Sequence, residues 1–239
     1  MLLTIFNEII FRPILNLLIF IVDYLPGHSL GWAIVAVTII TRFILFPLSH
    51  KALSSQKKMS HLQPQLKEIQ KEFKDDRQKQ SQAVMEFYKK NNINPFAGCL
   101  PFLIQLPIII GLYKVFSIQL TPETLNGLYS FISVPPSINT NFLGLVSLTD
   151  VSVVLAFLAA FSQFMVSRIT FSQRKKIGTS GGSGLQGMMG KQMMYVLPLV
   201  TLFIAQSFPA GLVLYWFVTT VFSFAQQLFI NKSLNKITV

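Results

Sequence analysis

Charge is scarce in this chain of 239 residues: Asp, Glu, Lys and Arg together make up 12%, against about 25% in an ordinary soluble domain. With 51% hydrophobic residues, that scarcity argues against a typical water-soluble domain and points to one membrane domain. Cysteine is nearly absent. The lone Cys99 cannot form an intrachain disulfide, and no His/Cys cluster has metal-ligand spacing. His28, His50 and His61 stand apart and read as loop or interface residues. There is no phosphate-binding GxxxxGKS/T loop, no HExxH, no GxSxG and no pair of intramembrane aspartates. The signatures of ATP hydrolysis and intramembrane proteolysis are therefore missing; no enzymatic activity and no cofactor are expected. The N-terminus lacks a basic leader and a small-residue cleavage site, so no cleavable signal peptide is expected.

What is present is a series of long apolar runs. A bilayer core of about 30 Å needs about 20 mostly apolar residues, and five segments meet or approach that length: span 1 at 30–48, span 2 at 96–118, span 3 at 148–171, span 4 at 193–208 and span 5 at 209–230. The net charge of +11 does not point to DNA, because the basic residues gather between these runs. Ten of the 20 lie in 49–95, four in 172–192, two in the tail 231–239 and none in 119–147. Basic loops mark the cytoplasmic side. The expectation is an external 1–29, an external loop 119–147 and a cytoplasmic C-terminus.

Segment 5–25 is ambiguous. Glu8, Arg12, Asn16 and Asp23 fall on one face of an otherwise apolar helix, as in a helix lying in the interface; a sixth span is the alternative. Residues 49–95 read as a cytoplasmic helical hairpin. Met59, Leu62, Leu66, Ile69 and Phe73 form one apolar seam, Pro64 is read as starting a new helix, Lys74-Asp75-Asp76-Arg77 as the turn, and a second helix runs to about Lys90. Its ten basic and five acidic residues suit anionic lipid or RNA equally. The Gly/Ser-rich stretch from Gly178 to Gly190 reads as a flexible linker within the cytoplasmic loop 172–192.

Arg42 is the most informative residue. At 1.5 Å per residue it sits roughly 9 Å from the cytoplasmic end of span 1, where a charge at full depth costs about 2.5–3.5 kcal/mol. Snorkelling to the headgroups is one explanation. Thr38 and Thr41 share its helix face, however, and a polar stripe ending in Arg favours a wet cavity. Gln105, Ser162, Gln163, Gln206, Thr219, Thr220 and Gln226 are possible companions from other spans. No mid-span acidic residue offers Arg42 a fixed counter-ion, so the site suits a carboxylate that comes and goes.

The run Thr38-Ile39-Ile40-Thr41-Arg42-Phe43-Ile44-Leu45-Phe46-Pro47-Leu48 resembles the first core span of the YidC family of membrane protein insertases. The resemblance continues through Lys58-Met59, Leu62-Gln63-Pro64, Asn94-Pro95, Gly98-Cys99-Leu100-Pro101 and Gln105-Leu106-Pro107-Ile108. It ends in Phe208-Pro209-Ala210-Gly211-Leu212-Val213-Leu214-Tyr215-Trp216 and Gln226-Gln227. It implies an all-α membrane protein: a five-span core around a hydrophilic groove open to the cytoplasm and to lipid, preceded by an external amphipathic helix and carrying a mobile cytoplasmic hairpin. It implies a bacterial plasma-membrane insertase and chaperone that takes nascent membrane proteins, alone or beside the Sec translocon, with the ribosome and signal-recognition machinery as partners of the hairpin. Arg42, Thr38 and Trp216 fall on the family's groove or substrate-contact positions, and Thr41, Gln105 and Gln163 are added to that set. Thr219-Thr220 departs from the polar-Asn pair of many members. The alternative function is a small-solute transporter or channel.

Overall fold

The computed structural model describes residues 2–92, 94, 100–117, 124–176 and 185–235. Pro95, Gly98, Cys99 and the first half of the Gly/Ser-rich stretch lie outside them. The helices are α1 (Leu2–Phe6), α2 (Arg12–Tyr24), α3 (Leu30–Ile44), α4 (Phe46–Glu72), α5 (Arg77–Lys90), α6 (Leu100–Ser117), α7 (Val153–Lys176), α8 (Leu185–Ala205) and α9 (Ala210–Asn235). A π-helical turn, Asn7–Phe11, joins α1 to α2. A two-stranded antiparallel hairpin, β1 (Asn141–Phe142) and β2 (Val146–Ser147), pairs Asn141 with Ser147.

The packing of α7 is that of a helix between protein and lipid. Its buried positions are mostly small: Ala156, Ala159, Ala160 and Ser162. Its exposed positions are large and apolar: Val153, Val154, Phe157, Leu158 and Phe161. Small side chains let helices approach closely where no water drives them together, and α7 lies against both α8 and α9. By length and composition Thr4–Tyr24, Val153–Ser172 and Ala210–Ile230 can each cross a membrane; α3 with Phe46–Ser55 makes a fourth, bent by 59°, and Leu103–Ser117 and Met194–Ala205 are shorter apolar helices.

Several boundaries differ from the sequence reading. Residues 148–152 are not helical: the Leu148 N–H donates to Thr140 O, and Ser152 caps α7 by accepting from the Leu155 N–H. Helices take up both ends of 172–192, because α7 continues to Lys176 and α8 begins at Leu185. The break after span 1 falls at Leu45, and Pro64 lies inside the continuous helix α4. Pro47, in the first turn of α4, has no N–H to give to Phe43 and crowds its carbonyl. Thr41 also bonds back to Val37 O and Thr38 O, a pattern that bends helices. At Pro64 the exposed ring costs one helical bond, while buried Leu66 and half-buried Leu62, Ile69 and Phe73 continue one apolar seam across it.

The α4–α5 hairpin is closed by a cap. The Asp76 carboxylate accepts from the Gln78 and Lys79 N–H groups at 3.1 and 3.0 Å, satisfying donors that the first helical turn leaves free. Those backbone bonds hold its pKa below the ordinary aspartate range. A carboxylate with a lowered folded pKa contributes fully above its unfolded pKa and loses that contribution as pH falls through the folded value. We expect Asp76→Ala to lower the hydrogen-exchange protection of the Gln78 and Lys79 amides at neutral pH. In the unmodified protein the same loss should appear only in acid. Unchanged protection in Asp76→Ala would remove the cap from the account.

Helix α2 uses its polar stripe on the chain itself. Arg12 pairs with Glu8 at 2.7 Å and donates to Gly127 O. Buried Asn16 accepts from the Tyr129 N–H at 2.7 Å and donates to Arg12 O. Asp23 accepts from Ser133 Oγ. On its apolar side, Ile10 and Ile14 press on Gly111 of α6, where an added Cβ would lie 3.1 Å from the Ile14 methyl. The π-turn places Phe6, Asn7 and Phe11 around Lys114, whose ammonium donates to Asn7 Oδ1 at 3.2 Å and lies over both rings.

Candidate functional site

One cluster of buried residues fills the half of the molecule at the starts of α3, α7 and α9 and the end of α6. Leu30, Ile34, Val37, Leu112, Val115, Ala156, Ala159 and Val213 belong to it. The other half of the same helices encloses a cavity of about 350 Å³, lined by Arg42, Gln105, Gln163, Tyr215, Trp216 and a polar run along α9 to Gln226 and Gln227, with Ser49 of α4.

Arg42 is tethered within that space. Its Nη2 donates to Gln105 Oε1 at 2.7 Å, and Gln105 Nε2 donates to Tyr215 Oη at 2.7 Å. A guanidinium has donors only, so Gln105 must turn its oxygen toward Arg42 and its amide toward the phenol. The chain Arg42–Gln105–Tyr215 thus ties α3, α6 and α9 together. The ion pairs among the described residues are Arg12–Glu8 and Lys79–Asp76, and Arg42 has no carboxylate beside it. Gln105 takes the Nη2 donor, and among the described residues no carboxylate competes for the guanidinium.

The structure gathers some sequence candidates and leaves others apart. Arg42, Gln105, Gln163 and Trp216 line the cavity. Thr38 does not: it is fully buried, and its hydroxyl donates to Ile34 O at 2.6 Å. Thr41 is half-buried, bonds Val37 O and Thr38 O, and is also outside the lining. Both threonines use their hydroxyls on their own helix, as isolated threonines in spans commonly do. Ser162 bonds Ala159 O, and Gln206 is exposed and bonds Leu202 O.

Sequence reasoning missed Tyr215, Ser49, Ser223 and Gln227. The signal was available in α9. Tyr215, Thr219, Ser223 and Gln227 recur every four residues, which is one helix face, and that stripe is longer than the one on α3. Buried Thr219 presents a hydroxyl with no hydrogen-bond partner among the described residues, and it lines the cavity. At the far end Gln226 Nε2 donates to Ser49 Oγ at 2.8 Å, which ties α9 to the start of α4.

Fold and site together define a class: a multi-pass helical membrane protein with a polar, arginine-bearing cavity set beneath an apolar seal. Its family follows from comparison. The model of the 60Kd inner membrane protein family matches residues 21–237, and the chain belongs to that family. It is 38% identical over 204 residues to the membrane protein insertase YidC of Wolinella succinogenes, covering 85% of this chain and 34% of that protein. It is 35% identical over 225 residues to that of Geotalea daltonii, covering 93% and 37%. A crystal structure of active YidC insertase with its first transmembrane domain resolved shares the fold, with a TM-score of 0.59 at 24% identity, over 92% of this chain and 45% of that one. The chain spans roughly a third of the length of these curated relatives. The recognition from the sequence blocks and the all-α membrane fold class are both borne out, and the chain is a multi-pass protein of the bacterial inner membrane.

Proposed function

We propose that this chain is a non-catalytic membrane protein insertase and chaperone, and that the cavity around Arg42 is where a nascent client first leaves water. The observation that carries this reading is a half-buried guanidinium, held by Gln105 in a polar-lined cavity, with no carboxylate partner among the described residues. A client segment with a weakly acidic external tail enters from the cytoplasm, and its carboxylate replaces water at Arg42. Thr219, Gln163 and Trp216 offer further contacts. The apolar client segment then leaves sideways into lipid, where burial at about 25 cal/mol per Å² drives the step. The membrane potential adds about 2.3 kcal/mol per 100 mV for each acidic charge moved fully outward. No step uses ATP or a cofactor.

The same reading sets the frame. The core has five spans, the helix before them is external and the C-terminus is cytoplasmic. Contacts of α2 support an interfacial helix: Arg12 near one end and Asp23 near the other both reach the single segment 127–133, whereas a spanning helix would meet an external segment at one end. The basic hairpin α4–α5 is the surface for ribosome and signal-recognition machinery, and the Sec translocon is a partner for some clients.

The test is crosslinking from a photoreactive residue at position 216 to a nascent single-span client in vesicles lacking the Sec translocon. An adduct that forms before the client becomes carbonate-resistant supports an independent insertase. An adduct that requires the translocon reduces the role to a chaperone beside it. Flux of small solutes through proteoliposomes holding only this protein would favour a transporter and overturn the proposal.

A further inference from the structure

We propose that the tip of the β1–β2 hairpin, together with exposed Phe131 earlier in the same loop, is a shallow lipid anchor: Leu143 and Leu145 sit in the headgroup–acyl boundary of the leaflet nearest the first turn of α3. This goes beyond the insertase reading and rests only on α3 crossing the bilayer.

Three observations converge. The first is an unpartnered apolar tip at a backbone cost. Leu143 has φ +56° and Gly144 φ +69°, both in the left-handed region, and the Leu145 N–H closes the turn on Phe142 O. Asn or Gly is the residue for such a position; leucine there is strained. Yet Leu143 is 63% exposed and Leu145 84% exposed, so neither strain nor apolar surface is relieved inside the protein. Phe131 is 74% exposed as well.

The second is absence of charge. Residues 128–149 contain no Asp, Glu, Lys, Arg or His. A loop of that length bathed in water ordinarily carries several charges, whereas one resting in the interface is penalised for each.

The third is continuity with the lipid-facing surface. The Phe142 ring lies so close to Gly31 that a Cβ there would be 2.1 Å from it, and it meets the Trp32 ring edge-on with centroids 5.5 Å apart. Trp32, half-exposed in the first turn of a membrane helix, occupies the place where tryptophan marks the interface. The turn follows directly after Phe142, which fixes the tip at that level and on that side.

The experiment is spin-label accessibility in nanodiscs holding one copy each, so that only lipid can cover the tip. Labels are placed by Leu145→Cys, Phe131→Cys and, as the water-exposed control, Glu86→Cys on the charged helix α5, all with Cys99→Ser. The ratio of oxygen to nickel-chelate collision rates should be severalfold higher at 145 and 131 than at 86. Ratios at 145 and 131 equal to that at 86 would overturn the anchor and leave the tip in water. A tip protected only when vesicles are crowded with protein, and not in single-copy nanodiscs, would assign it to a second copy and overturn the proposal equally. Should the Leu145 label disturb the turn, the Phe131 label decides alone.

Discussion

Arg42→Ala should cut insertion of single-span clients with acidic external tails by about tenfold or more, and Arg42→Lys should keep much of the activity. Two opposite charges about 4 Å apart attract by about 1 kcal/mol in water and about 4 kcal/mol at an effective dielectric of about 20. A half-buried, polar-lined cavity lies between those limits, and 1.4 kcal/mol corresponds to about tenfold. Lysine restores the charge but not the planar fork, so it loses the fixed geometry that Gln105 gives the guanidinium. Clients without acidic residues provide the control and should be affected little. The measurement is protease protection of the translocated tail in inverted vesicles, run on several clients. Normal insertion of the acidic-tail clients by Arg42→Ala would mean that the cavity works by hydration and shape, with no counter-charge role.

The second large effect is expected from Asn16→Leu, far from the cavity. Asn16 is buried among Leu15, Leu18 and Ile19, and leucine would suit that setting by hydropathy. It would, however, leave the Tyr129 N–H without its acceptor. A buried donor stripped of its partner costs about 1–3 kcal/mol. We expect lower thermal stability in detergent and faster exchange at the Tyr129 amide. Ser133→Ala removes the exposed bond to Asp23 and should change stability by less than about 0.5 kcal/mol. Equal effects from the two variants would show that segment 127–133 is not held through Asn16.

The helical fold was legible because apolar runs and basic loops are long-range patterns that the chain carries in its composition. The polar stripe on α2 was legible too, but its partner was not. Spacing shows that Glu8, Arg12, Asn16 and Asp23 share a face; it does not say whether headgroups or the chain's own residues 127–133 will meet it. The cavity was half legible. Arg42 stood out by energetic cost, and Gln105 and Trp216 entered beside it. Thr38 and Thr41 share the Arg42 face, yet their short side chains reach their own carbonyls first, which periodicity alone cannot reveal. Tyr215 was passed over because a tyrosine in an apolar helix reads as packing, and only the Gln105 amide shows that its hydroxyl is used. Pro64 misled because proline ordinarily starts or kinks a helix; a seam continuous across it outweighs one missing bond.

Helix α9 runs through both halves of the molecule. Its first turns are sealed among Leu30, Ile34 and Val115, while its later turns face the cavity. The two stretches therefore answer to different assays. Substitutions from Leu212 to Leu214 should register as loss of protein from the membrane fraction, with whatever survives working normally. Substitutions from Thr219 to Gln227 should leave abundance intact and alter which clients are served. A single deep mutational scan that reads abundance and client insertion separately would divide the helix near Tyr215, the one residue that belongs to both.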